Sequence, residues 1–140
     1  MTGTPAGSYA LTVNSPVVKR LLAALNRHDV DAVTACFGDD ISSEWPAHPA
    51  RSFQGLDQVR RNWQAIFDRF PRITVSVTSS VEAGDEVWGE WRYVRSEGDE
   101  LRGVIIITVR DDLIRRSRFY MEEVDATAAP RPGGPQRMTG

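Results

Sequence analysis

The half of the chain from residue 73 onward limits the fold most severely. Residues 73–78 alternate apolar and polar side chains, residues 87–95 do so again, and residues 101–110 and 113–124 are two further extended runs. The breaks between them are Ala83-Gly84-Asp85, the polar stretch 96–100, and Asp111-Asp112. Connections this short join antiparallel neighbours, because a parallel crossover needs about a dozen residues or more. The run Val104-Ile105-Ile106-Ile107 is apolar at successive positions, hence on both faces of its strand. One face must cover the rest of the chain. The other is expected to be covered too, by a second copy in a homodimer formed through the sheet face.

Residues before 73 carry a helical period instead. Ser15 is placed to cap free amides and Pro16 suits a first helical position, after which Val17, Leu21, Leu22 and Leu25 recur on one side. Asn26-Arg27-His28 ends this helix, and His28 is read as complementing its dipole rather than as catalytic. Asp29 caps a short second helix bearing Val30, Val33 and Phe37. Gly38-Asp39-Asp40 is expected to turn the chain into a short extended stretch, residues 41–45. A stiff loop with two prolines follows at 46–55. A third helix, about 57–70, presents Val59, Trp63, Ile66, Phe67 and Phe70 before Pro71 stops it. The order α-α-β-α-β-β-β-β is that of an α+β domain.

At 140 residues the chain is expected to hold one domain, about 15–125, with flexible tails at 1–14 and 126–140. A net charge of −2 argues against nucleic acid as the main partner. No apolar run approaches the roughly 20 residues that span a bilayer, and the first residues lack the pattern of a secretory signal, so the expected compartment is the cytoplasm. Cys36 is the single cysteine, which excludes an internal disulfide and a multi-cysteine metal site. Phosphate-binding glycine loops, metal-ligand spacings and a nucleophile elbow are missing, so no metal and no cofactor are expected.

Three segments carry a family likeness: LNRHDVDAVTACFGDD (25–40), SEWPAHPARSFQGLDQVRRNW (43–63), and the run from VWGEWRY (87–93) to RFYMEEVD (118–125). Together they resemble the SnoaL-like branch of the NTF2-like superfamily. That likeness implies a cone, in which a strongly curved antiparallel sheet wraps around about three N-terminal helices and leaves a blind pocket. The superfamily includes polyketide cyclases, ketosteroid isomerases, epoxide hydrolases, dehydratases and non-catalytic modules. The implied function is a small cofactor-independent enzyme using acid–base chemistry on a hydrophobic organic molecule. The alternative is a non-catalytic ligand-binding or dimerisation module.

Several groups are candidates for that chemistry. Trp88, Glu90 and Arg92 share one strand face. The resemblance turns them toward the pocket, with Glu90 and Arg92 orienting a reacting group; a solvated surface pair is the other reading. On the last strand, alternation alone puts Phe119 and Met121 inward and leaves Arg118, Tyr120 and Glu122 on the surface. The resemblance instead sets Glu122 at the catalytic aspartate of a Tyr-x-Asp motif, as general base, with Tyr120 donating a hydrogen bond and Arg118 against substrate. Glu44 matches a position that helps hold the attacking water in the epoxide hydrolases. His48 suits proton transfer near neutrality, or simply packs on Trp45 or Arg51. Trp45 and Trp63 are expected in the pocket wall. The ketosteroid isomerase apparatus is disfavoured, because Leu21 and Trp45 stand where that enzyme's tyrosine and base belong.

Overall fold

A computed structural model describes residues 13–125. The expected tails therefore lie outside the described residues, apart from Val13 and Asn14 at one end, and Val13 belongs to the core at 1% exposure. The first helix, α1 (Pro16–Arg27), starts where Ser15 accepts a hydrogen bond from the Val18 amide. It ends at His28, whose backbone is left-handed (φ 58°). The Asp29 carboxylate accepts from the Ala32 amide and opens α2 (Val30–Thr34). The long helix α3 (Leu56–Arg69) follows a 3-10 turn at Pro49–Arg51.

Six strands make one curved, unclosed sheet: β1 (Phe37–Glu44), β2 (Phe53–Gln54), β3 (Thr74–Ala83), β4 (Glu86–Ser96), β5 (Asp99–Arg110) and β6 (Leu113–Glu123). Their order is β2-β1-β6-β5-β4-β3. The four-strand meander matches the expected antiparallel series. Two features differ. First, β1 pairs with β6 in parallel, so the sheet is mixed rather than antiparallel throughout. Second, Gly38-Asp39-Asp40 is strand, not turn. Arg115 explains this: its guanidinium lies where a side chain at Gly38 would stand, and it bonds the Asp40 carboxylate at 3.1 Å. The two-residue β2 is too short to show any period, and so escapes a pattern reading.

Alternation decides which side of the sheet meets the helices. Trp91 and Tyr93 of β4, Ile105 and Ile107 of β5, and Met121 of β6 share a core with Val17, Leu21 and Leu25 of α1 and with Val59 and Phe67 of α3. Trp88, Glu90, Val104, Ile106, Tyr120 and Glu122 occupy the opposite, outer face. Ile106 is nonetheless only 3% exposed, with Trp88 and Arg118 directly across from it on the two neighbouring strands. Its own chain therefore supplies much of the cover that the two-sided apolar run demands.

Two side chains tie α1 to the edge strand β3. The Asn26 amide both donates to the Val75 carbonyl and accepts from the Val75 amide, each at 2.8 Å, as a neighbouring strand would. His28 donates through Nε2 to the Ile73 carbonyl at 2.8 Å and stacks on Phe67 at 4.7 Å. Among the described residues, no helix is long and apolar enough to cross a membrane.

Gly103 allows the close approach of β5 and β6. A Cβ there would lie 2.0 Å from the Tyr120 carbonyl oxygen and 2.6 Å from the Met121 Cα, both backbone atoms, and its φ is 156°. Gly103→Ala should lower unfolding stability by about 3 kcal/mol or more, read by urea denaturation. A loss below about 1 kcal/mol would mean that the two strands separate there freely.

Candidate functional site

A cavity of about 120 Å³ lies between the inner sheet face and α3. Phe37, Ile41 and Ser43 of β1 reach it, as does Trp45 just past the end of that strand. Ser117 and Phe119 enter from β6, Tyr93 from β4, and Val59, Asn62, Trp63 and Ile66 from successive turns of α3. A smaller void of about 30 Å³ shares Trp63, Tyr93, Ser117 and Phe119 and extends toward Leu21 and Leu25. Trp45 stacks on Phe119 at 4.9 Å with the rings nearly parallel, and Trp63 leans on Tyr93 at 5.8 Å. Arg51 sits over the outer ring of Trp45, 5.0 Å from its centroid.

The polar atoms of the lining are few and neutral. Ser43 and Ser117 are register partners on the parallel strands β1 and β6, and each is 4% exposed. Asn62 accepts from Gln58 at 2.7 Å, which leaves its own N–H groups free to donate. Burial pushes the Tyr93 phenol well above its ordinary range, so it remains a neutral donor. No lining residue carries a charge.

The residues singled out from sequence divide accordingly. Trp45 and Trp63 line the cavity. Trp88, Glu90, Arg92, Arg118, Tyr120, Glu122 and Glu44 do not. The expected turn of Trp88, Glu90 and Arg92 toward the pocket is corrected, since Val87, Trp91 and Tyr93 hold the buried phase of β4. Pairing of β5 with β6 is continuous from Ser117 to Glu123, so no bulge reverses the parity that sends Phe119 and Met121 inward. Tyr120 is 43% exposed and Trp88 42%, with the Trp88 indole donating to Glu86.

The charged members pair across the outer face. Arg92 engages Glu100 through two hydrogen bonds (2.8 and 3.1 Å) rather than Glu90. Arg116 grips Glu44 the same way (2.9 and 3.0 Å) and holds its carboxyl below the usual range. Arg118 bonds Glu86 at 3.2 Å, and its Nε is buried without a partner among the described residues. One pair does bring together candidates from distant segments: His48 Nε2 meets Glu122 Oε2 at 2.8 Å. Glu122 borders an open groove of about 440 Å³, and Trp45 lines both this groove and the cavity.

A family model for the SnoaL-like domain matches residues 18–117. The chain belongs to the SnoaL-like family. Solved structures agree on the SnoaL-like architecture. One is a candidate ketosteroid isomerase from Kribbella flavida DSM 17836, at TM-score 0.68 and 20% identity over 85% of this chain and 82% of that one. A second is a candidate polyketide cyclase from Sinorhizobium meliloti, at TM-score 0.67 and 19% identity over 81% and 98%. A third is a SnoaL-like protein of unknown function from Burkholderia thailandensis E264, at TM-score 0.63 and 17% identity over 86% and 97%. At such identities the likeness is one of fold. Comparison with curated protein sequences gave no match.

Sequence reasoning passed over Ser43, Ser117, Asn62 and Tyr93 as site residues. A usable signal existed: in Ile41-Ser43-Trp45 and Ser117-Phe119-Met121, a serine interrupts an otherwise apolar phase.

Glu100 offers a pH test of the outer-face pairs. Arg92 first, and Arg102 second, hold its carboxyl down at about 2, against 4.5 for a free side chain. The folded state therefore binds fewer protons than the unfolded state. The resulting stability is fully present above about pH 4.5 and drains away as pH falls toward 2. Between roughly pH 5 and pH 2 the Tm of the wild type should fall more than that of Glu100→Gln. Parallel curves would show that these pairs add nothing to stability.

Proposed function

We propose that this SnoaL-like chain binds a small, neutral, single-ring hydrophobic molecule in the cavity beneath α3. The observation that carries the reading is the lining itself: aromatic and aliphatic walls, four neutral polar side chains and no charge. The volume sets the ligand's size. About 120 Å³ is close to the roughly 150 Å³ engineered cavity that takes up benzene, and well under the ~300–1,000 Å³ of drug-sized sites. A fused polycycle does not fit; one ring does. A charged ligand would lose its water and gain no counter-ion.

Binding of toluene, followed by tryptophan fluorescence and by thermal unfolding, tests this directly. Trp45 and Trp63 are both in the wall and should report it. At ligand near a hundred times Kd, stability should rise by about 2.7 kcal/mol. Ile66→Trp should fill the space and abolish the response, whereas Glu90→Gln on the outer face should leave it intact. Absence of saturable binding by the wild type would end the reading.

One observation favours a catalytic version. Acid–base chemistry of the cyclase, hydrolase or isomerase kind needs a titratable group within reach of substrate. The His48–Glu122 pair has that character, and Glu122 borders the groove whose lining shares Trp45 with the cavity. In this version His48 moves the proton and Glu122 orients it. Turnover of any substrate found for the chain should then fall about 10²–10⁴-fold in His48→Gln. Unchanged turnover removes the pair from the chemistry.

The outer face supports a homodimer. Exposed Tyr120 stands directly across from Val104 and exposed Trp88 lies diagonally to it, next to Glu90, with acidic and basic groups alternating around them, a pattern that a second copy can match. Sedimentation should give a dimer that Tyr120→Glu converts to monomer. A monomeric wild type at high concentration refutes the assembly.

A further inference from the structure

We propose that Ser43 and Ser117 form a two-hydroxyl anchor that selects single-ring ligands bearing one oxygen, such as a phenol or a cyclic ketone, over the bare hydrocarbon of the same size. This rests on the cavity being a ligand site.

The pairing of β1 with β6 places the two serines side by side. They are direct Cα partners in a parallel register, so their side chains leave the sheet in the same direction, on strands about 4.8 Å apart. Each is 4% exposed and each lines the cavity. Buried hydroxyls are normally hydrogen-bonded, yet neither of these makes a side-chain hydrogen bond among the described residues, and neither oxygen is fully enclosed by protein. Their neighbours in the same phase are Ile41 and Trp45 on β1 and Phe119 on β6, which offer no carbonyl or carboxylate side chain. The unused donors and acceptors therefore point at the void.

The geometry suits a single oxygen. A ketone or phenol oxygen has two lone pairs, and two adjacent O–H groups can each donate to one of them. The aromatic walls of Trp45, Phe119 and Trp63 would hold the ring itself. A site built this way discriminates against the ligand that lacks the oxygen, because that ligand leaves two buried hydroxyls unmet.

The test compares benzene with phenol, and cyclohexane with cyclohexanone, by calorimetry and tryptophan fluorescence on the full chain. The wild type should bind the oxygenated member of each pair about tenfold tighter. In Ser43→Ala/Ser117→Ala this preference should vanish, while the Kd for benzene stays within about twofold. Ser42→Ala, one residue away on the outer face, should behave as wild type. If the double alanine variant fails to fold, Ser43→Cys and Ser117→Cys keep the volume and weaken the donor, and each should lose part of the preference. Benzene binding with no preference for phenol, or a preference that survives loss of both hydroxyls, overturns the anchor and leaves the cavity standing as a ligand site. Binding of none of the four probes overturns both.

Discussion

The constraint on which the structure depends is the parity of three neighbouring strands. Trp91 and Tyr93, Ile105 and Ile107, Phe119 and Met121 all fall in one phase, and this phase faces α1 and α3. A slip of one residue in β6 would drive Arg118 and Glu122 into the core and push Phe119 and Met121 into water. Burying those charges unpaired costs far more than the strand gains elsewhere. The apolar phase therefore wins, and every ionisable candidate on β4 and β6 is carried to the outer face. Gly103 makes the arrangement close, by letting β5 lie against the backbone of β6.

The outer face then handles its charge locally. Arg92 with Glu100 and Arg116 with Glu44 form forked pairs between neighbouring strands, and Arg118 reaches across β5 to Glu86 on β4 through a single bond. Each exposed pair contributes little alone, of order 0–1 kcal/mol. Their collective effect is to hold long side chains flat over the sheet, where Trp88 and Arg118 shield Ile106. Arginine suits this task because its planar fork matches a carboxylate and cannot lose its proton.

The inner face keeps a void that a tighter core would close. Left empty, about 120 Å³ costs on the order of 3 kcal/mol at ~24 cal/mol per Å³. Larger aliphatic residues at 43 and 117 would reduce that cost, and serines stand there instead. Small hydroxyl residues at the centre of two buried strands leave both space and unmet hydrogen-bonding capacity. That combination is what the proposed ligand site rests on. The His48–Glu122 contact adds a titratable pair at the strand ends without bringing charge inside.

Local periodicity in the chain was enough to establish an α+β domain, three helices in nearly their observed places and the four-strand meander; it also offered the inward phase of Phe119 and Met121, against which the family likeness set Tyr120 and Glu122 in the pocket. Those features depend on neighbours two to four residues apart, which a linear pattern records. The family likeness was legible too, because its motifs are contiguous. Folding in three dimensions decided the rest. The parallel contact of β1 with β6 joins residues more than seventy positions apart, so neither the Ser43–Ser117 pair nor the His48–Glu122 contact has a local signature. The same contact makes Arg115 and Arg116 the partners of Asp40 and Glu44, turning an expected bend into strand. A sequence displays which side chains can pair; only the register between distant strands determines which of them do.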